Sequence, residues 1–298
     1  MHRANSRADR KVKEMKIDNN LMAELLCIAD TEWVLGHWYT RSLMNSRNLQ
    51  DATALGAMSQ DTWGHTRAIF RYLEEENNLP DFQIEFGRKA VDVHNMDMLD
   101  NPPQSYGDYI LTTYLAELAV WRLMATFKDG NHADIASMMT AFGKECYFHR
   151  LNSDGWFTLF TEEEKNEAIN ALPARLGAAI AWFGTDKASS ECPLLESGVR
   201  SQSVSDAREM FIKEATAKLA KVLDITEQKV EALVDSVNPS ERNNRRRRVE
   251  GSEMPAALWE YVVPTNEGAI LARRPLSISV QDEIDLWDKP ETIAFDYD

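Results

Sequence analysis

Cysteine, glycine, proline and positive charge are all scarce in this chain. Its 298 residues include three cysteines, 13 glycines and 10 prolines, and 33 lysines and arginines stand against 48 aspartates and glutamates, for a formal charge of −15. Cys27, Cys146 and Cys192 are widely spaced and form no CxxC pair. That argues against a disulfide framework and for a reducing compartment. Few glycines and prolines argue against many short strands joined by tight turns. The acidic balance argues against general nucleic-acid binding and against docking on anionic membranes. No apolar run approaches the length of a membrane span, and the N-terminus lacks the apolar core of a signal peptide, so a cytoplasmic protein is expected. Two basic segments break the pattern: Arg3, Arg7, Arg10, Lys11 and Lys13, and the run from Arg245 to Arg248. Runs of this kind read as solvated tails or partner-docking strips.

What is present is helical periodicity. Hydrophobic residues make up 44% of the chain, with 12 Met and 8 Trp, the composition of a folded helical protein. Residues 1–17 read as a basic, poorly ordered tail. One long helix is predicted from about Asn20 to Arg47, where Leu21, Leu25, Ile28, Val34, Leu35, Trp38 and Leu43 recur every three to four positions. A second runs from Leu49 to Glu76. A connection with a helical piece around Phe86 to Asp92 and the breaker Asn101-Pro102-Pro103 is long enough to cross between two hairpins. Further helices are predicted over Tyr106–Lys128, from His132 to Phe160, from a capping box at Thr161 to Phe183, and over Asp206–Val222 and Thr226–Val237. The expected organisation is a helical domain over 18–237 and an extended C-terminal arm over 238–298 that wraps the bundle or a partner.

One spacing occurs twice. Glu32 is followed by Asp61-Thr62-Trp63-Gly64-His65, and Glu117 by Glu145-Cys146-Tyr147-Phe148-His149. Glu32 and His65 lie 33 residues apart, Glu117 and His149 lie 32 apart. A duplicated hairpin that aims one carboxylate and one imidazole inward from each half is how four-helix bundles build dinuclear metal sites. Taken singly, each residue has a plainer account: a mid-helix His is often a hydrogen-bonded core residue, and a Glu beside an apolar run often reaches water. The repeat is what points to an ancestral metal site at Glu32, His65, Glu117 and His149. The pattern is incomplete, because Thr62 and Cys146 stand three residues before the histidines, where such sites carry bridging glutamates. Asp61 and Glu145, four residues before each histidine, share the histidine face and can orient the imidazoles or serve as substitute ligands. Cys146 can be a soft ligand or a small core residue.

Ser59-Gln60-Asp61-Thr62-Trp63-Gly64-His65, Lys144-Glu145-Cys146-Tyr147-Phe148-His149, Trp156 and Ala181-Trp182-Phe183-Gly184 carry a resemblance to the phenylacetic acid catabolic proteins. These are the ferritin-like subunits of the phenylacetyl-CoA ring epoxidase, with benzoyl-CoA epoxidase a more distant relative. The likeness covers roughly residues 20–235. It implies an all-α, ferritin-like four-helix bundle with a long crossover and two irons held by a lone carboxylate and a Glu-x-x-His pair from each hairpin. Glu32, Glu117, His65 and His149 match those ligands; Thr62 and Cys146 do not match the bridging glutamates. The resemblance implies iron (or manganese) as cofactor, an aromatic acyl-CoA substrate, a reductase, and a sister ferritin-like subunit or a second copy of this chain as partner.

Three functions follow. The first is a component of a di-iron monooxygenase acting on an aromatic acyl-CoA. The second is a non-catalytic scaffold subunit of such a complex, marked by a salt link from Lys144 or Arg67 into the vacated site. The third is a mononuclear metalloprotein using His65, His149 and a carboxylate.

Overall fold

A computed structural model of the chain describes residues 17–184, 192–238, 242–243 and 245–263. The basic N-terminal segment, and the arm beyond residue 263 with Trp287, lie outside the described residues. The fold is all-helical, and no strand occurs among the described residues; a single antiparallel bridge joins Arg242 and Val249.

Four long helices form the ferritin-like bundle: α1 (Asn19–Ser42), α2 (Leu49–Glu76), α4 (Tyr106–Ala125) and α5 (Ala133–Thr158), with the short α3 (Gln83–Phe86) in the crossover. Helix α6 (Glu162–Trp182) and helix α8 (Val204–Leu223) cover the outside of α4. The one-turn α7 (Pro193–Glu196) and helices α9 (Glu227–Asp235) and α10 (Ala256–Val262) complete the set. No helix among the described residues is long and apolar enough to cross a membrane.

Side-chain oxygens start most of these helices. Asp18, Asn48, Ser105 and Thr226 each accept backbone N–H bonds from the first turn, and Thr161 with Glu164 and Ser203 with Asp206 form capping boxes. Each cap supplies an acceptor for backbone donors that have none inside the helix. Several ends differ from the sequence reading. Helix α1 stops at Ser42 and continues as a 3-10 turn over Leu43–Asn45, and α4 stops at Ala125. Gly87 ends α3 and separates it from a 3-10 turn over Ala90–Asp92, so the helical piece expected around Phe86 to Asp92 is two shorter pieces. The segment expected to be extended after 238 contains the helical turn pair of α10.

The long helices divide into two inner and two outer ones. Every residue of α1 from Leu21 to Tyr39 is buried, as is α4 from Gly107 to Val120. Helices α2 and α5 are buried on one stripe only. A helix buried all round needs a partner for each charge it carries, and α1 carries several. Asp30 takes both guanidinium nitrogens of Arg88 from the crossover, at 2.6 and 2.7 Å. Glu24 is gripped by Arg200 and by Arg247, the latter at 2.6 Å. At the α1–α2 contact, a Cβ on Gly36 would lie 2.4 Å from the Trp63 indole, so only glycine permits this approach.

The arginine run is the clearest correction to the sequence reading. Arg247 and Arg248 are buried rather than solvated or held out for a partner. Besides Glu24, Arg247 bonds the carbonyls of Trp182 and Phe183 at the end of α6, and Arg248 bonds Asn95 and Asp100 in the crossover. Arg246 donates to the carbonyls of Val93 and Ser252. The Arg247 backbone has φ +57, a left-handed conformation that a non-glycine residue holds only where its contacts enforce it. Removing one member of a buried ion pair leaves the others uncompensated, at about 3–5 kcal/mol. Glu24→Gln is therefore expected to lower unfolding stability by about that amount in guanidinium titrations; a loss under about 1 kcal/mol would show that the clamp contributes little.

Candidate metal centre

Glu32 and Glu117 lie near the middle of the inner helices, and His65 and His149 lie on the inward stripes of the outer ones; all four are buried. Within each hairpin the imidazole Nδ1 meets its own glutamate. His65 Nδ1 is 3.3 Å from Glu32 Oε2, and His149 Nδ1 is 3.0 Å from Glu117 Oε1. The other ring nitrogens cross between hairpins. His65 Nε2 is 2.6 Å from Glu145 of α5, and His149 Nε2 is 3.2 Å from Asp61 of α2. The i, i+4 spacing places each acid on its own helix's histidine face, yet each bonds the histidine of the opposite helix. The centre is thus a closed exchange between two hairpins.

The two halves are not equivalent. Glu117 Oε1 also accepts the Tyr39 hydroxyl at 2.7 Å, and together with His149 this holds the Glu117 carboxyl below its ordinary range despite burial. Glu32 has no such hydroxyl and a longer contact to its histidine. Burial pushes its carboxyl up, only partly opposed by His65. Burial disfavours the charged form of both histidines, but the carboxylates outweigh it: His65 is raised, and His149 is raised to about 10, chiefly by Glu117 and Asp61. The hydrogen bond from His149 holds Asp61 low. One oxygen of each inner carboxylate, Glu32 Oε1 and Glu117 Oε2, is buried without a hydrogen-bond partner. Such atoms call for a proton or a cation.

The two substituted positions behave differently. Thr62 is fully buried, and its hydroxyl donates to the carbonyls of Met58 and Ser59 on its own helix, so it offers the centre nothing. The Cys146 sulfur faces the centre: Glu32, His65 and Cys146 each have a ligand atom within 4.8 Å of the others. Burial, then Glu32 and Glu117, push its thiol well above the usual range. Arg67 pairs with Glu74 and Glu85, away from the four-residue centre, and Lys144 is exposed, so the cation expected of a scaffold subunit does not come from either. The histidines take that role.

Two neighbours of the centre escaped the sequence reading. Tyr39 lies two turns beyond Glu32, and Phe142 lies two turns before His149, with its ring stacked on His65 at 4.1 Å. Both share a helix face with a candidate ligand, and that seven-residue spacing was the available signal. The centre also lies close to solvent, since the Asp61 and Glu145 side chains remain 37% and 50% exposed.

A family model described as phenylacetic acid catabolic protein matches residues 5–229, and the chain belongs to that family. No curated protein matches the chain.

The raised His149 fixes the sign of a pH effect. A group whose folded-state value lies above its unfolded value of about 6.5 stabilises fully below the unfolded value and loses that contribution as pH rises through the folded one. Metal-free protein should therefore weaken as pH rises through about 10, and His149→Gln should lack that alkaline component in paired urea titrations. An unchanged alkaline profile in the variant would place the titration elsewhere.

Proposed function

We propose that the chain is a ferritin-like component of a complex that oxidises an aromatic acyl-CoA with oxygen, in the manner of phenylacetyl-CoA epoxidase, and that the two-metal centre of the complex belongs to a sister subunit. The observation carrying this reading is the loss of both bridges, with Thr62 bonded back to its own helix. Glu32, His65, Glu117 and His149 are the residues that would hold iron or manganese here, and in the family such a pair of ions supplies oxygen activation. The donor set does not fit two ions. Without bridging carboxylates, two divalent cations a few ångströms apart in a site of low dielectric repel each other strongly.

The chain's own residues have a coherent role without that pair. The imidazoles hold protons between four carboxylates, Tyr39 donates to Glu117, and Phe142 covers the His65 ring. The bundle core is thereby set without help from a substrate. A second reading, a mononuclear metalloprotein, is favoured by the juxtaposition of Cys146 with Glu32 and His65.

Metal analysis of protein grown with iron and manganese is expected to find fewer than two ions per chain. Co-expression with a family member that retains both Glu-x-x-His motifs is expected to give a mixed assembly. Two ions per chain, with oxygen-dependent consumption of phenylacetyl-CoA by this protein alone, would refute the partner reading.

A further inference from the structure

We propose that the centre binds a single soft divalent cation, of the zinc or cobalt type, through Glu32, His65 and Cys146. The inference rests on the reading above that the two-ion centre has been reduced.

The ligand atoms of these three side chains already lie within 4.8 Å of one another, and all three are buried. An independent observation points to a cation there: Glu32 is fully buried and its Oε1 has no hydrogen-bond partner. The His65 contact to Glu32, at 3.3 Å, is long for a charge-assisted hydrogen bond but ordinary for two ligands sharing an ion. Glu145 lies 2.6 Å from Nε2, placed to keep a proton on that nitrogen when His65 gives up its Nδ1 proton to ligate through it. A carboxylate behind a ligating imidazole is the standard support of a metal-binding histidine. The opposite half shares the orphan oxygen, Glu117 Oε2, and has Asp61 behind His149, but Thr62 stands there in place of a thiol and bonds back to its own helix.

The donor set selects the metal. A thiolate, an imidazole and a carboxylate favour zinc or cobalt over manganese or ferrous iron, which prefer oxygen-rich sites. The Cys146 thiol and the His65 Nδ1 must each lose a proton to solvent as the sulfur–metal and nitrogen–metal bonds form, so binding releases protons. Half-exposed Glu145 and Asp61 mark the side from which an ion would enter.

Cobalt titrated into chelator-treated full-length protein tests this. The expected result is one ion per chain, with the visible bands of a tetrahedral site and a near-ultraviolet thiolate-to-cobalt band, displaced by zinc. Cys146→Ser should abolish the thiolate band. Glu145→Gln, at a half-exposed position that leaves the core intact, should weaken binding roughly 10–100-fold. No bound ion, or one ion with no thiolate band, overturns the proposal and leaves the reduced-centre reading standing. Two ions per chain overturn both.

Discussion

Buried negative charge is the constraint on which this structure depends. The two inner helices carry Glu24, Asp30, Glu32, Asp108 and Glu117 into the interior, and a carboxylate without a partner there is prohibitive. Each is met by a cation from a different part of the chain. Arg88 of the crossover meets Asp30, Arg175 of α6 meets Asp108, and Arg200 and Arg247 meet Glu24. The crossover, the covering helix and the C-terminal segment are therefore held by specific charge pairs as well as by apolar contact. Each pair fixes one segment to one turn of an inner helix, because the guanidinium fork demands a defined approach.

At Glu32 and Glu117 the same requirement is met without arginine. The counter-charges are imidazoles, which unlike arginine can release the proton and turn a nitrogen lone pair toward an ion. The centre differs from the arginine clamps in this one respect: its counter-charges can be given up as well as held. The asymmetry of the halves follows from neighbours. Tyr39 donates to Glu117, whereas a Glu32 carboxylate oxygen lies within 4.8 Å of the Cys146 sulfur.

Much of the architecture was legible in the sequence, because helical period, caps and the doubled Glu–His spacing are local signals. Thr161 and Thr226 begin their helices where the sequence places them. What escaped depends on tertiary contact. The pairing of Asp61 with His149 and of Glu145 with His65 cannot be read from i, i+4 spacing, which places a side chain on a face but does not choose its partner across the bundle. Arg247 looked solvated because its partner, Glu24, lies 223 residues away. A run of four arginines ordinarily repels itself into solvent; here three of the four meet separate acceptors in the crossover, on α1 and at the end of α6.

The doubled spacing has an explanation that needs no metal. With Thr62 and Cys146 three residues before the histidines, deleting any one of the two glutamates or two histidines would leave a buried charge unpaired, at about 3–5 kcal/mol. Folding alone then holds the four residues in place, and their spacing ceases to report on bound ions. Two features fall outside that account. Glu32 Oε1 is buried without a partner, and the Cys146 sulfur lies within 4.8 Å of a Glu32 carboxylate oxygen and of His65. A buried neutral thiol packs like a small apolar residue, so what singles out Cys146 is its distance from Glu32 and His65, short enough for the three to share one ion. These atoms, rather than the glutamate–histidine repeat, carry the proposed cation site.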